Sequence, residues 1–519
     1  MNAPHDLEAH LREFARAEAQ RLGLSEPTHY VEQIHSNESF TAADVPHTTL
    51  WVSGLSLAHD QLVVKGLRGI GYQVQMLGVP DQTSLAFGKE FGNKSQCNPT
   101  WFTVGNLVKH LVKMRDEQGQ STEEIIRNNV FITAGACGPC RFGMYTTEYR
   151  KALRDSGFDG FRVVLFQPGG GLAQATGVEV GLKIDRKFAF ALVGGLLAGD
   201  VINLLGYRMR PYEVEPGSVN RAIDEAKRLV GEALERGGSV VAALVRARKQ
   251  LSLVALDRSR VKPRVSVIGE FWAMTTEGDG NYHLYEFLEQ QGAECDIQPL
   301  TNWLLYLMWE KRWDLDERVG LKGTDGGKYG LEGVNPTVRW AAMLVGETAL
   351  RGIFQLYANA LGLEGHVLPD MNEIAELAHG HYDNSLRGGE GHLEVGKLLH
   401  FVKDHHNHMT ISVKPFGCMP SSGVSDGVQS KVLGQYPEAI FLPIETTGDG
   451  QVNVHSRVLM MLHKAREKAK AEHEKALAAR GIDAATFRDK LKRSRYGRNP
   501  LRWPRHRAAG TATNLVYAV

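Results

Sequence analysis

No stretch of this 519-residue sequence reads as a membrane helix in length and unbroken apolarity. The most apolar segment, Phe188 to Gly199, is bracketed by Lys187 and Asp200 and falls short of the roughly 18 residues a span requires. Residues 1–23, with Leu7, Leu11, Phe14 and Leu22 among many charges, lack the apolar centre of a signal peptide and read as an amphipathic surface helix. A cytoplasmic protein is therefore expected. Cysteine is scarce and odd in number, five in all, which argues against a disulfide framework and leaves metal or redox work for any that cluster. Charge of one sign is also lacking: 60 Lys and Arg face 59 Asp and Glu, so net charge selects no class of partner. Neither Gly169-Gly-Gly171 nor Gly326-Gly327 fits a P-loop or dinucleotide fingerprint, and both read as turns. No internal repeat is evident beyond an architectural echo between two halves.

What is present is an alternation. Thr49 to Ser53 reads as a buried strand, followed by a helix bearing Leu62, Val63, Leu67 and Ile70 on one face, then a strand from Val74 to Val79. Val104, Leu107, Val108, Leu111 and Val112 recur at helical spacing behind Cys97; Val130 to Thr133 and Phe161 to Phe166 are further strands, with Tyr145, Tyr149, Ala152 and Leu153 on the helix between them. A second such unit opens at Val265 and includes the strands Thr410 to Val413 and Ala439 to Ile444. The fold class expected is α/β, with two flavodoxin-like parallel-sheet domains and helical bridging and insertion segments. The expected divisions are an N-terminal helical arm (1–48), a first α/β domain (49–171), a helical bridge (172–262), a second α/β domain (263–470) with a helical insertion at about 301–392, and a charged helix with a basic tail (471–519). The tail, holding Tyr496 and Trp503 among its basic residues, reads as a solvated or docking segment rather than a nucleic-acid binder.

Open parallel sheets gather ligands at the carboxyl ends of their strands. Cys97, the pair Cys137 and Cys140, and Cys418 all fall on such strand-to-helix loops, so distance in sequence hides proximity in space. Thiolates from separated loops can hold an iron–sulfur cluster. Three other readings compete: buried structural cysteines, a four-thiolate zinc site, and a thioredoxin-like dithiol at Cys137-Gly-Pro-Cys140. Ala136 stands where a thioredoxin motif carries Trp, and only one of the cysteine pairs has zinc-ribbon spacing. In every metal or redox case the adjoining helix starts should stabilise thiolates. Cys295 reads as structural. His405, His406 and His408, with His400 nearby, invite a metal reading but share no spacing that sets them on one face, so they read as incidental. Glu270 and Glu390 are weak catalytic candidates, placed to approach a ligand between the two α/β units.

Four motifs in order resemble one known superfamily: Cys97-Asn-Pro-Thr-Trp-Phe-Thr-Val-Gly-Asn-Leu107, Ala136-Cys-Gly-Pro-Cys-Arg-Phe-Gly-Met-Tyr145, Val267-Ile-Gly-Glu270 and Pro415-Phe-Gly-Cys-Met-Pro420. Together they are similar to the 2-hydroxyacyl-CoA dehydratases and benzoyl-CoA reductases, nearest the acyl-CoA dehydratase activase-related branch, over about Thr49 to Lys470. The resemblance implies a 4Fe-4S or related cluster in the cleft between two flavodoxin-like domains. It matches Cys97 and Cys418 to the first and last cluster ligands and Cys137 or Cys140 to the middle one. Three ligands would leave one iron open to substrate, and four would close the cluster for electron transfer. The resemblance further implies a low-potential electron from a separate ATP-dependent activase, an acyl-CoA substrate, and a homo- or heterodimer. A cluster-bearing electron relay without turnover is the alternative from another class.

Overall fold

The computed structural model describes residues 13–14, 17–23, 40–135, 140–166, 181–320, 331, 335–386 and 389–519. Cys137, both glycine runs and parts of the expected arm lie outside these residues. The chain divides into two units at Glu38 and Ser39. In the first, residues 17–21 are helical, and Phe14 and Leu22 are exposed.

The second unit contains two four-stranded sheets, both entirely parallel. The strands are β1 (Thr49–Val52), β2 (Val74–Met76), β3 (Asn129–Ala134), β4 (Arg162–Phe166), β5 (Arg264–Gly269), β6 (Glu294–Ile297), β7 (Met409–Pro415) and β8 (Phe441–Thr446). Their spatial orders are β2-β1-β3-β4 and β6-β5-β7-β8, the same winding used twice. The protein is thus an α/β protein with two Rossmann- or flavodoxin-like sheets. Both faces of such sheets are covered, so their strands are near-continuous apolar runs. β7 is buried at all seven positions. β2 stops three residues earlier than its apolar pattern suggests, before Gly78 and Pro80; proline has no N–H for a ladder.

Between and beside the sheets lies a helical body. Arg186–Met209, Ser218–Glu235 and Val240–Leu251, from the expected bridge, share one core with Leu300–Gly320, Pro336–Leu361 and Met371–His379, from the expected insertion. Leu197, Val201, Val230, Leu244, Phe354 and Met371 are among its buried members. The apolar run at Phe188 does not end at Asp200, as that charge suggests. Arg186–Tyr212 is long and apolar enough to cross a membrane by length and composition alone, and most of it is buried inside the protein. Asp200 fits within it because every lone pair it presents is used: Oδ1 takes the Leu300 N–H at 2.8 Å and faces His59 Nε2 at 3.1 Å, while Oδ2 takes the Thr301 N–H at 2.7 Å and its hydroxyl.

The C-terminal segment docks. Gln451–Arg480 is one helix that runs across the boundary expected at residue 470, and Thr511–Ala518 packs on it with Leu515 and Val516 fully buried. Trp503 receives the guanidinium groups of Arg208 and Arg258 on its ring, 5.0 and 5.2 Å from the centroid. Arg258, 3% exposed, also donates to the carbonyls of Tyr496, Asn499 and Arg502. Burial lowers its pKa to about 10, which still leaves it charged at neutral pH. Arg258→Ala strands three carbonyls that a charged donor satisfied, at a cost of about 3 kcal/mol. Limited proteolysis should show it as faster cleavage within residues 481–519, with the rest of the digest unchanged.

Candidate functional site

In each sheet the winding reverses between its first and third strands in chain order, and ligands collect outside the carboxyl ends at that point. β3 ends there and leads to Cys140; β5 ends there and leads to Glu270; β7 ends there and leads to Cys418. The two carboxyl edges face one another. Asn98 N–H donates to the Phe416 carbonyl at 2.9 Å, Gln82 N–H to Asp279 at 2.8 Å, and Leu57 N–H to Glu277 at 2.7 Å. Leu85, Phe102 and Trp272 form a small apolar core across the same boundary.

Two glycines make the close approach feasible. Gly417 has φ +77°, and a Cβ there would stand 3.2 Å from the Gln96 carbonyl and 3.3 Å from Cys97 Cα. Gly269 has φ +131°, and a Cβ there would lie 2.0 Å from the Val413 carbonyl oxygen. Only a residue without a side chain brings the Cys418 loop against Cys97 and turns the chain from β5 into Glu270.

Each described cysteine of the set stands at a helix start: Cys97 before Asn98–Asp116, Cys140 before the 3₁₀ turn Arg141–Met144, and Cys418 before Met419–Ser422. Cys140 and Cys418 face the backbone N–H groups of Phe142 and Ser421 in the turns they open, whereas Cys97 makes no side-chain cap to its helix. Cys97 and Cys418 are buried and Cys140 half-buried. Tyr145 Oη lies 3.1 Å and Thr100 Oγ1 3.4 Å from Cys97 Sγ. Burial, then the neighbouring Cys97, holds the Tyr145 phenol well above its ordinary range, so it keeps a proton to donate to sulfur. Glu148 fixes the loop before Cys97, accepting from Asn93 N at 3.2 Å, Asn93 Nδ2 at 2.6 Å and Gln96 Nε2 at 3.0 Å.

Carboxylates crowd the same space. Glu270 Oε2 accepts from Ala273 N at 2.8 Å, Glu390 Oε1 from Phe271 N at 2.7 Å, and Glu394 Oε1 from Ser421 Oγ at 2.9 Å. All three titrate above the ordinary carboxylate range because they are buried, and Glu390 is raised further by Glu270 and Glu394. Glu394 is an addition to the expected candidates. The sequence offered a signal for it, four residues after Glu390 on the far side of a glycine.

The expectation that helix starts stabilise thiolates is reversed for the two thiols whose shift is clear. Burial pushes Cys140 up to about 12 despite a hydrogen bond from the Phe142 backbone, and Glu270, Glu390 and Cys97 add to the rise. Cys418 is raised as well, first by burial and then by Glu270, with Ser421 opposing. A thiol so placed is a poor nucleophile, which weighs against the dithiol reading. These thiols would ionise once a cationic centre compensated their charge. Around them, Glu390 Oε2, Glu394 Oε2 and both side-chain atoms of the fully buried Asn98 have no hydrogen-bond partner. Buried polar atoms without partners are uncommon, and a set of them beside thiols suits a polar ligand with sulfur and metal in it. The donor set thus fits an iron–sulfur cluster.

Beside this site the buried Asp60 accepts from the backbone N–H groups of Gly54 and Leu55, and burial raises it to about 7 against an ordinary 3.8; His59 opposes the rise and Glu277 adds to it. Because the folded value exceeds the unfolded one, stability is greatest below about pH 4 in this respect and falls as pH rises through 7, by on the order of 4 kcal/mol. Asp60→Asn keeps an acceptor for the two N–H groups and removes the charge. Denaturant titrations at several pH values should show the fall between pH 4 and 7 flattened in that variant.

No family model matches the chain, and no curated protein matches it. Fold and site together define a two-sheet α/β protein with thiols and protonatable carboxyls gathered where its two carboxyl edges meet.

Proposed function

We propose that this chain is an iron–sulfur protein of the 2-hydroxyacyl-CoA dehydratase type, with Cys97, Cys418 and the Cys137/Cys140 pair as the ligands of a 4Fe-4S cluster. The observation that carries the reading is the meeting of Cys97, Cys140 and Cys418 from both sheets among buried polar atoms that lack partners. When bound, such a cluster supplies one-electron transfer at low potential.

The chain's own residues then have definable tasks. Tyr145 and Thr100 offer hydroxyl donors to the Cys97 sulfur, and hydrogen bonds to sulfur tune a cluster's potential. Glu270, Glu390 and Glu394 keep protons on their carboxyl oxygens near neutrality, so a proton is at hand where an electron would arrive. Phe416 and Met419, either side of Cys418, are about half exposed, which brings the site to the surface. There it can meet an acyl-CoA thioester and a separate ATP-hydrolysing activase as electron donor.

Anaerobic purification and reconstitution, followed by iron and sulfide assay, tests the reading. About four irons with matching sulfide support it. A colourless protein after reconstitution, or one that holds zinc instead, overturns it. Turnover of an acyl-CoA with an activase present separates a catalyst from an electron relay.

A further inference from the structure

A second group of metal-ligating side chains lies at the opposite edge of the second sheet. The helix His392–Lys403 ends in a reversal: Asp404 N–H donates to the His400 carbonyl at 3.1 Å, His406 N–H to the Phe401 carbonyl at 3.3 Å, and His405 takes φ +49° between them. This is a Schellman closure with a non-glycine residue in the left-handed position. Its effect is to fold His406 back beside His400, with ring centroids 4.5 Å apart, although consecutive spacing gave no shared face. Asp404 lies between them. Its Oδ2 is 3.0 Å from His400 Nδ1 and 4.0 Å from His406 Nε2, and ligand atoms from the three residues all lie within 4.8 Å of one another.

The arrangement is not explained by the ion pair. His400 Nδ1 is shut away from solvent and makes no hydrogen bond, because the carboxylate oxygen, though close, stands off the line along which the ring could donate. Groups that converge on a common point without bonding to each other are arranged as ligands are. Metal–ligand bonds of about 2.0–2.1 Å in a tetrahedron set ligand atoms roughly 3.3 Å apart, between the two spacings observed. From the C-terminal segment, a hundred residues on, His506 stacks on His406 at 4.3 Å and 18° and donates a ring N–H to the Asp404 main-chain carbonyl. It thereby orients both residues. His408, by contrast, belongs to the core, with Nδ1 accepting from Arg264 N at 2.9 Å and Nε2 3.3 Å from Glu472.

We propose that His400 Nδ1, His406 Nε2 and a carboxylate oxygen of Asp404 bind a divalent transition-metal ion of the zinc class, with a coordination position left for water. Two imidazoles and a carboxylate suit zinc, and His506 is a positioning residue for them. The site precedes β7, whereas Cys418 follows it, so a seven-residue strand of about 20 Å separates the two. A metal there clips the helix end, the entry to β7 and the C-terminal segment together. It stands independently of the function proposed above.

The test is Zn²⁺ and Co²⁺ titration of the chelator-treated full chain under anaerobic conditions. Beyond any Co²⁺ taken up by the thiols, one further equivalent should add visible bands without a matching rise in near-ultraviolet sulfur-to-cobalt absorption. His400→Ala and His406→Ala should each weaken Zn²⁺ binding at that site at least ten-fold, and His506→Ala by ~10–100-fold. His405→Gly, which suits the left-handed turn, should bind as the natural chain does and shows that the reversal itself is intact. Unchanged affinity in both His400→Ala and His406→Ala, or cobalt spectra carrying only sulfur ligation, overturns the proposal.

Discussion

Cys418→Ala, reconstituted anaerobically, is expected to fall from about four irons per chain to a small fraction of one, with loss of the charge-transfer absorption. The expectation is this severe because, among the described residues, Cys418 is the only cysteine that the second sheet delivers to the site. Its loop is pressed against Cys97 through Gly417, and the other described cysteine of that sheet, Cys295, sits within β6. Cys97→Ala should be equally damaging, since Cys97 is the ligand that the Tyr145 and Thr100 hydroxyls address. Cys140→Ala is the informative comparison. If Cys140 is the middle ligand, iron is lost; if iron, sulfide and spectrum persist, Cys137 holds that place and three cysteines suffice. Retention of a full complement of iron in Cys418→Ala would remove the second sheet from the site and the proposed function with it. Tyr145→Phe supplies a graded control, because it removes one donor to sulfur while leaving all thiols, and should shift the reduction potential rather than the iron content.

How far these residues could be read from the sequence differs by kind. The two parallel sheets were legible because β1, β3, β5 and β7 are short apolar runs alternating with amphipathic helices, a pattern few other folds share. The loop positions of Cys140 and Cys418 followed from that alternation, whereas Cys97 sits between two helices, Gln82–Phe91 and Asn98–Asp116, and not on the strand-to-helix loop expected for it. Their mutual approach needed Gly269 and Gly417, whose roles depend on backbone angles and on what lies opposite, neither of which one sequence displays. The direction of the thiol shifts was not legible at all. A helix start predicts a lowered value, but desolvation, Glu270, more than 100 residues from either thiol, and Glu390 decide the outcome. The histidines show the same limit. Their convergence rests on one left-handed residue, His405, and on a ring from the far end of the chain. The reach of the helix Arg186–Met209 past Asp200 was hidden for a related reason: a charge reads as a boundary unless its partners are known.

That buried charge carries the other large expectation. Asp200→Ala should destabilise the protein by about 3–5 kcal/mol, the cost of breaking a buried ionic network by removing one member. The carboxylate, 2% exposed, holds the first N–H groups of Leu300–Gly320 through Leu300 and Thr301, and orients His59 through Nε2. His59 in turn lies 2.7 Å from Ser56 Oγ through Nδ1, and Ser56 accepts from Asn203 Nδ2 at 2.8 Å. Serine, histidine and aspartate in a row resemble a hydrolytic triad, and the variants separate the two roles. Ser56 is 3% exposed with its hydroxyl oxygen already engaged by Asn203, so no substrate carbonyl can reach it. As a structural network it ties three elements, the start of Leu57–Gly69, the middle of Arg186–Met209 and the start of Leu300–Gly320, and Asp200 is the member that touches most of them. Asp200→Asn, which keeps acceptor capacity but not charge, should cost less than Asp200→Ala, and Ser56→Ala only about 1–3 kcal/mol for the groups it leaves unpaired. The order is measurable as falling urea midpoints of the unfolding transition. A Ser56→Ala loss equal to that of Asp200→Ala would show that the strength of the network resides in the serine, and that the anchoring of three helices by one carboxylate is mistaken.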